Sequence, residues 1–284
     1  MSLKELLDGF YDSFDFKGRV LNDPIEFPMM YKTHADIEVS GLIAASLSYG
    51  KVTLFKPVIR LILQKMGKTP AEFLLNFDVK THKDLFSGIS YRFNRNEDVL
   101  ALLFVISEIL KNYGSVRNLF VSNFTGGIYG SIHGFVQYAQ RVDTEPVYGS
   151  GKKSDGFLQF FPDPAKGSAC KRVNMYLRWM VRSGDIDFGL WPEIPASALV
   201  IPLDTHISKV ARCLGLTKRK SNDWKAAVEI TQALCGLNPQ DPLRYDFALC
   251  HHGISGSCKA IRQADACNNC SLNSVREGQS PSHY

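Results

Sequence analysis

The sequence predicts an all-α protein, and three observations lead to this fold class. Apolar residues recur three and four apart along most of the chain, the spacing that gives a helix one buried face. These stretches begin at helix-capping residues and end at glycine. No segment shows the strict apolar–polar alternation of a half-buried strand. We expect one folded unit over residues 1–270, followed by a polar, disordered tail over 271–284.

Each predicted helix has its own start or stop signal. In chain order the segments are ADIEVSGLIAASLSYG, FKPVIRLILQKM, TPAEFLLNF, NEDVLALLFVISEILKNYG, CKRVNMYLRWMVRSG, DTHISKVARCLG, SNDWKAAVEITQALCG and DPLRYDFALCHHG. The third begins with Thr69 as N-cap, Pro70 at the first helical position and Glu72 completing a capping box. The seventh begins at a Ser/Asn cap, and the last begins at Asp241. The fourth, fifth and last are expected to end at Gly114, Gly184 and Gly253.

The middle of the chain, roughly 123 to 169, is rich in Gly, Ser, Asp and Pro. Its strings TGGIYGSIHGF, VYGSGKKSDGF and FPDPAKGSAC are typical of loops. A long irregular segment inside a compact helical protein is often functional. We therefore expect this region to be loop-rich and close to a functional site.

Composition restricts the class of protein. The 284 residues are 45% hydrophobic and 21% charged, as in an ordinary globular protein, and no apolar run reaches the roughly 20 residues of a membrane span. The start MSLKELLDGF has no apolar core of a secretory signal, so we expect a cytoplasmic protein, for which stabilising disulfides are uncommon. We expect a monomer with no membrane association.

Positive charge is concentrated between residues 151 and 220, while the whole chain carries a net charge of +5. The basic residues there are Lys152, Lys153, Lys166, Lys171, Arg172, Arg178, Arg182, Lys209, Arg212, Lys218, Arg219 and Lys220. Such a stripe suits a polyanion such as nucleic acid. A solvated helix face explains the same charges, and composition alone leaves both interpretations open.

Two residues in this region suggest chemistry. Lys171 lies near the start of a helix, where the helix dipole disfavours a cation and so favours a nucleophilic, neutral amine. Asp204 lies at the start of the helix DTHISKVARCLG, where a carboxylate is stabilised as an anion. Together they would form an amine beside a fixed carboxylate, which suits attack at an electrophilic sugar carbon. Taken singly, Asp204 is equally explained as a plain N-cap and Lys171 as a solvated surface lysine.

The strings PLDTHISKVARCLGL and GSACKRVN together resemble the helix-hairpin-helix DNA glycosylase superfamily, which includes endonuclease III and the 8-oxoguanine glycosylases, and more narrowly a bacterial branch of it. DIEVSGLIAASLSYGKV, TPAEFL, YRFNRNEDVLALLFVISE and RYDFALCHHGISGSC follow the family's order, so the likeness covers roughly residues 30 to 260. The resemblance implies two helical lobes with a cleft between them. The N-terminal helix and roughly 190–270 would form one lobe, and roughly 35–185 the other.

The resemblance also implies roles for individual residues. Lys171 would be the nucleophile and Asp204 the catalytic carboxylate. A base pocket would be formed by Ser48, Tyr49, Lys51, Asp185, Asp187 and Trp191, with Tyr91, Phe93, Phe160 and Phe161 as further aromatic candidates. The DNA backbone would be contacted by Lys152, Lys166, Gly167, Arg172, Lys209, Arg212 and Lys218. The segment with Asp185, Asp187 and Trp191 is an insertion relative to the family pattern. Its alternative to forming the base pocket is simply to close a loop.

The chain departs from the family pattern in two places. The family hairpin, which usually reads LPGVG and holds a DNA phosphate on its backbone N–H groups, is replaced here by FPDPAKGSAC. Endonuclease III holds an iron–sulfur cluster on four cysteines, whereas this chain offers Cys258, Cys267 and Cys270, with Cys250, His251 or His252 to supply a fourth ligand. Zinc accepts such a Cys/His mixture. Free thiols are the alternative, and no cofactor is required by the expected reaction.

The function these expectations describe is base excision repair of double-stranded DNA. The enzyme would be a DNA glycosylase that flips out a damaged base, expected to be an oxidised purine, with AP lyase activity through a Schiff base on Lys171. A non-catalytic nucleic-acid-binding protein on a glycosylase scaffold is a second hypothesis. An enzyme acting on a free nucleoside or other small molecule is a third.

Overall fold

The computed structural model describes residues 1–255 and 270–272. Within them the protein is all-α, as the sequence predicts, apart from one short hairpin. The helices are α1 (Leu3–Asp12), α2 (Phe16–Val20), α3 (His34–Leu47), α4 (Val52–Met66), α5 (Pro70–Leu75), α6 (Val79–His82), α7 (Asn96–Tyr113), α8 (Val116–Ser122), α9 (Ile128–Arg141), α10 (Glu145–Tyr148), α11 (Asp155–Leu158), α12 (Lys171–Val181), α13 (Thr205–Cys213), α14 (Trp224–Cys235) and α15 (Asp246–Ile254). Short 3₁₀ turns cover Pro24–Glu26, Pro28–Met30, Lys83–Phe86, Pro164–Lys166 and Ala196–Ala198.

The helix α3 lies at the centre of the fold. Every residue from Asp36 to Leu47 is buried, so this helix contacts protein on all sides and lacks a solvent face. It packs against α4, α5, α7, α8 and α12. Its N-cap Thr33 accepts a hydrogen bond from the Asp36 backbone N–H, and Tyr176 of α12 donates from its hydroxyl to the Glu38 carbonyl at 3.1 Å. This central helix therefore fixes the position of α12, which begins at Lys171.

The region from 123 to 169, expected to be loop-rich, contains the helix α9. Ile128, Ile132 and Phe135 are buried at helical spacing, and their burial outweighs the low helix propensity of the glycines among them. Those glycines have a packing role. A Cβ at Gly130 or Gly134 would collide with the backbone or side chain of Asn123, so glycine permits α9 to approach the end of α8.

One predicted helix start is confirmed and three predicted helix ends were wrong. α5 begins at Pro70 with Thr69 as its N-cap, although Thr69 makes no side-chain cap hydrogen bond and so forms no capping box with Glu72. α14 is capped by Asp223 rather than by the Ser/Asn pair before it. α15 begins at Asp246, because residues 242–245 form turns that bury Tyr245. α12 ends at Val181, before the expected Gly184, since Arg182 is extended and leads into a hairpin.

This hairpin pairs β1 (Ser183–Gly184) with β2 (Asp187–Phe188) in antiparallel register. Asp185 and Ile186 form its two-residue turn, and the chain enters the turn with positive φ at both Gly184 (+114°) and Asp185 (+54°). The tail expected to be disordered falls on residues 271–284, most of which lie outside the described residues. Leu272 is described and is buried against the core. Among the described residues no single helix is long and apolar enough to cross a membrane, although the bent pair α7 and α8 passes on length and composition together.

Candidate active site

Lys171 is held at the first position of α12 by a rigid turn. Cys170, the N-cap, has a left-handed backbone at φ +49°, an uncommon conformation for a residue with a side chain. Its buried thiol lies 3.2 Å from the Pro162 carbonyl and 3.3 Å from that of Ser168. Asn174 donates from its side-chain amide to the Ala169 carbonyl at 3.0 Å. These contacts close the turn and direct the chain into α12 at Lys171.

Asp204 uses its two carboxylate oxygens differently. Oδ1 accepts the backbone N–H groups of His206 and Ile207 at 2.9 and 2.8 Å, which is the helix cap that the sequence predicts. Oδ2 lies 3.5 Å from the Lys171 Nζ and 3.9 Å from the Cys250 Sγ. The Lys171 side chain is 35% exposed and that of Asp204 15% exposed, so the pair lies at the protein–solvent boundary. The cap therefore orients the carboxylate while leaving one oxygen directed at the amine.

The pair lies in a cavity of about 460 Å³. The cavity is lined by Asn22, Asp23, Pro24, Ser48, Tyr49, Gly50, Lys51, Val52, Thr53, Phe55, Lys171, Met175, Arg178, Pro202, Asp204, His206, Asp246, Phe247, Cys250 and Ile254. Of the expected pocket residues, Ser48, Tyr49 and Lys51 are present. The lining is mostly apolar, with a few convergent charges, as is usual for a site that binds a small organic group.

Sequence reasoning missed part of this wall, although helical spacing could have shown it. Met175 and Arg178 follow Lys171 by four and seven residues on α12, so all three share one helix face. On α15, Asp246 and Cys250 are likewise four residues apart and both face the cavity. Extending the α12 face from Lys171 would have identified Met175 and Arg178, whereas α15 carried no catalytic candidate from which to extend its face.

Asp246 is the most unusual of the missed residues. It is 3% exposed, and its Oδ2 accepts from Arg178 Nη1 at 2.6 Å, while its buried Oδ1 has no hydrogen-bond partner among the described residues. Burial raises the pKa of Asp246 to about 6, and the charge of Arg178 opposes that rise without cancelling it. Burial also raises the pKa of the neighbouring Cys250 thiol well above its usual range, so the thiol is neutral near pH 7.

Three expected pocket residues lie elsewhere. Trp191 is fully buried, where it donates from Nε1 to Glu38 Oε1 at 3.0 Å and packs on Phe120 and Tyr176. Asp187 is buried between Arg178 Nε at 3.3 Å and Arg182 Nη1 at 2.8 Å. Asp185 pairs with Arg182 and accepts from the Tyr11 hydroxyl at 2.6 Å. The insertion thus forms a structural hairpin behind the cavity wall, which was the alternative role considered for it.

The residues expected to contact a DNA backbone divide into two groups. Lys152, Lys166, Gly167, Lys209 and Lys218 are exposed, and Arg212 is half-buried, donating to the Ser208 hydroxyl at 2.5 Å. Arg172 does not face solvent as expected. Its guanidinium is enclosed and donates to the carbonyl oxygens of Ser46 and Gln159. Burial lowers the pKa of Arg172 to about 10. This arginine joins α12 to the end of α3 instead of facing solvent.

The segment FPDPAKGSAC before α12, which takes the place of the family's phosphate-binding hairpin, contains its own carboxylate, that of Asp163. Asp163 Oδ1 accepts the Ala165 backbone N–H at 2.8 Å and lies 3.0 Å from His133 Nδ1. The backbone N–H groups of Lys166 and Ser168 both donate to the Asp163 carbonyl. These hairpin donors are therefore engaged within the protein, unlike the phosphate-holding hairpin that the resemblance implies.

Of the further aromatic candidates, Phe160 and Phe161 are core residues, and Tyr91 is buried. Phe93 is 65% exposed. The expected metal ligands Cys258 and Cys267 lie outside the described residues. Cys270 Sγ lies 3.5 Å from His252 Nε2, and the described residues contain no group of three potential ligands. His252, one of the residues expected to supply a fourth ligand, therefore lies beside Cys270.

Comparison with known proteins places the chain in a family. No curated protein and no solved structure matches it. Residues 23–255 match the family described as "Protein of unknown function (DUF2400)". The matched range contains Lys171, Asp204 and every residue that lines the cavity except Asn22. The chain therefore belongs to the DUF2400 family.

Proposed function

We propose that this protein is a DNA glycosylase with AP lyase activity, acting on a damaged base in double-stranded DNA. The observation that supports it most strongly is the Lys171–Asp204 pair, with Nζ and Oδ2 at 3.5 Å, in a cavity of about 460 Å³. An amine and a carboxylate in contact at a partly solvent-accessible cavity are the two groups that Schiff-base chemistry at a sugar requires. The two-lobed glycosylase arrangement is part of the proposal.

Lys171 in its neutral form would attack C1′ of the extruded nucleotide through Nζ. The bond from C1′ to the base nitrogen would break, and the base would leave with the bonding electrons and take up a proton. Opening of the sugar ring would then give the Schiff base, and loss of a C2′ proton would expel the 3′ phosphate by β-elimination. Asp204 Oδ2 is placed to accept the proton that Lys171 loses and to stabilise positive charge on the sugar.

The cavity offers complementary contacts for a base. Tyr49 and Phe247 provide aromatic surface, and Asp246 provides an acceptor through its Oδ1, which has no hydrogen-bond partner among the described residues. The exposed lysines at 152, 166, 209 and 218 supply positive charge for the phosphate backbone. An oxidised purine is the first substrate to test, because the sequence resembles the 8-oxoguanine glycosylases.

Borohydride trapping tests this proposal directly. Wild type is incubated with one duplex that carries 8-oxoguanine and another that carries an abasic site, and reduction captures any Schiff base covalently. We expect an adduct that Lys171→Ala abolishes and that Lys68→Ala, a change at an exposed lysine outside the cavity, preserves. Asp204→Asn retains a capping oxygen and should leave the unfolding free energy within about 0.5 kcal/mol of wild type. It should slow adduct formation about a hundredfold or more, since it removes the charge beside the amine.

The remaining outcomes separate the hypotheses. An adduct on the abasic duplex alone would keep the lyase chemistry and move the search to other lesions. Binding in low salt without any adduct would contradict the lysine mechanism and favour a nucleic-acid-binding protein. Absence of both binding and adduct would contradict the whole proposal and favour a small-molecule substrate, for which turnover of free nucleosides is the corresponding assay.

A further inference from the structure

Cys250 is a third polar side chain at the Lys171–Asp204 pair, and the proposed chemistry does not use it. It lies on α15 and lines the cavity. Its Sγ is 3.9 Å from Asp204 Oδ2, and Lys171 Nζ lies 3.5 Å from the same oxygen. An amine and a thiol, both side-chain nucleophiles, therefore share one carboxylate oxygen.

Close packing of α15 on α13 fixes the thiol beside the carboxylate. The two helices are in contact, and a Cβ at Gly253 would lie 2.9 Å from the Cβ of His206, so glycine permits this close approach. His206 belongs to the first turn of α13, whose cap is Asp204, and Gly253 follows Cys250 by about one helical turn. The fold therefore holds Cys250 against the oxygen that the cap leaves free.

The thiol keeps its proton in the unreacted site. Burial raises the pKa of Cys250 well above its usual range, the negative charges of Asp204, Asp246 and Asp23 add to the rise, and the charge of Lys171 opposes it. Because the thiolate is the nucleophilic form, Cys250 does not compete with Lys171 for the sugar carbon at this stage. Asp204 Oδ2 is placed to take the thiol proton once an electrophile lies beside it.

A second observation indicates that this part of the cavity receives a polar ligand. Asp246 lies about one turn before Cys250 on the same face of α15, and both residues line the cavity. Asp246 is 3% exposed, and its buried Oδ1 has no hydrogen-bond partner among the described residues. A buried acceptor without a donor is costly, so a ligand hydroxyl or N–H group that enters the cavity would satisfy it. The space beside Cys250 thus suits a polar group such as a sugar.

We propose that Cys250 adds to the Schiff base on Lys171 and holds an abasic sugar as an N,S-acetal, with C1′ bonded to both Lys171 Nζ and Cys250 Sγ. The bond from Sγ to C1′ forms, the π electrons of the protonated C=N bond become the lone pair on Nζ, and the thiol proton passes to Asp204 Oδ2. The step adds a thiol across a double bond, so it needs neither an oxidant nor a reductant. Breaking the bond from Sγ to C1′ returns the Schiff base.

This inference rests on the proposed function and concerns the regulation of its site. β-Elimination from a Schiff base depends on the positively charged nitrogen, which withdraws electrons through C1′ and makes the C2′ proton acidic. A tetrahedral C1′ lacks that withdrawal, so the N,S-acetal leaves the DNA strand uncut while the abasic sugar stays covalently bound. Cys250 thereby sets the balance between holding an abasic site and cleaving it.

The experiment places a carbon isotope visible to NMR at C1′ of an abasic site in a duplex and records its signal in the complex without borohydride. With wild type we expect a tetrahedral carbon bonded to nitrogen and sulfur, whose chemical shift differs from those of the trigonal Schiff-base carbon and of the free sugar. Cys250→Ala should lose this signal and cleave the strand several-fold faster, because the Schiff base is no longer withdrawn. Cys250→Ser should do the same, since a hydroxyl is the weaker nucleophile. Cys235→Ala is the matched control, because Cys235 is a free thiol on α14 outside the cavity lining.

The readouts keep this inference separate from the proposed function. If wild type forms the borohydride adduct but gives no such tetrahedral signal, or if Cys250→Ala cleaves at the rate of Cys235→Ala, the N,S-acetal is overturned and the lysine chemistry stands. A tetrahedral signal that persists in Lys171→Ala would mean that the thiol binds the sugar alone, which also overturns the N,S-acetal. Absence of both the adduct and the signal overturns both proposals. A borohydride adduct formed by Cys250→Ala shows that this variant keeps a working site, and Cys250→Ser carries the comparison if alanine disturbs the fold.

Discussion

The helix α12 carries two groups of charges that differ in how fully they are matched. At its start, Lys171 meets one oxygen of Asp204, and both side chains remain partly exposed. Near its end, Arg178 and Arg182 are buried and pair with three carboxylates. Asp187 bridges both arginines, Asp246 pairs with Arg178, and Asp241 pairs with Arg182. The same residue types thus form a structural network at one end of the helix and an incompletely matched pair at the other.

Solvent exposure and the number of charged partners explain why the two groups of charges differ. A buried charge needs several compensating contacts, because removing it from water costs more than one contact returns. At the cavity, water still solvates Lys171, so a single contact with Asp204 suffices and the amine remains available. A reactive group needs this incomplete matching, and the buried network behind it holds the wall in place.

The largest effect is expected from breaking the buried network. Asp187→Asn leaves Arg178 and Arg182 with less compensation in the interior, and we expect a loss of about 3–5 kcal/mol in unfolding free energy. Asp204→Asn, which acts on the partly exposed pair, should change the unfolding free energy by less than about 0.5 kcal/mol. Denaturant unfolding of both variants measures the contrast. Equal losses would show that the two groups of charges do not differ in the way described.

A second test uses pH. Burial raises the pKa of Asp246 from 3.8 to about 6, so the folded protein binds this proton more tightly than the unfolded chain. Stability from this group is therefore complete below about pH 4 and decreases as the pH rises through about 6, by roughly 2–3 kcal/mol. Asp187, whose pKa burial also raises, contributes in the same direction.

Denaturant unfolding between pH 4 and pH 7 measures this dependence, and Asp246→Asn is the comparison. The variant lacks the titrating group, so its stability should fall less steeply over that range than that of wild type. Identical slopes would mean that Asp246 does not titrate there, and that its unpartnered Oδ1 is compensated in some other way.

The sequence was sufficient for the all-α fold class, and it singled out Lys171 and Asp204, which the structure brings into contact. The cap signal placed Asp204 at a helix start, and the helix signal placed Lys171 at another, because both depend on local backbone rules. It did not place Arg178 or Asp187 correctly. A basic residue in a basic helix suggests a solvated face, and an acidic residue in an insertion suggests a loop. Only the tertiary packing shows that the two pair in the interior.

Helix α9 shows the same limit of local sequence rules, because here a segment expected to be a loop is a helix. Gly130 and Gly134 suggested a loop, because glycine is a poor helix former when its neighbours are ignored. The structure uses both as points of close approach to Asn123, a contact that no local pattern records. The ends of α12 and α15 were likewise decided by buried side chains, Arg182 and Tyr245, whose partners are distant in sequence.

A smaller loss of stability than that of Asp187→Asn is expected at the contact between α13 and α15. α13 packs against α15, and a Cβ at Gly253 would lie 2.9 Å from the Cβ of His206 and 3.4 Å from its Cα. His206 belongs to the first turn of α13, whose cap is Asp204, so Gly253→Ala should displace that turn from α15 and move the Asp204 carboxylate with it. We expect a loss of about 1–3 kcal/mol in stability, typical of overpacking, with a several-fold slower borohydride adduct.

Gly9→Ala is the matched control, because Gly9 is also helical and a Cβ there would meet nothing within 4 Å. It should be neutral or stabilising by up to about 1 kcal/mol, since alanine is the better helix former. If Gly253→Ala matched this control in both stability and trapping, α15 would not position the carboxylate. If it lost stability but kept the adduct rate, the cap of α13 would hold Asp204 without help from α15. The partly matched pair would then depend on local backbone geometry alone, unlike the buried network, whose partners come from distant parts of the chain.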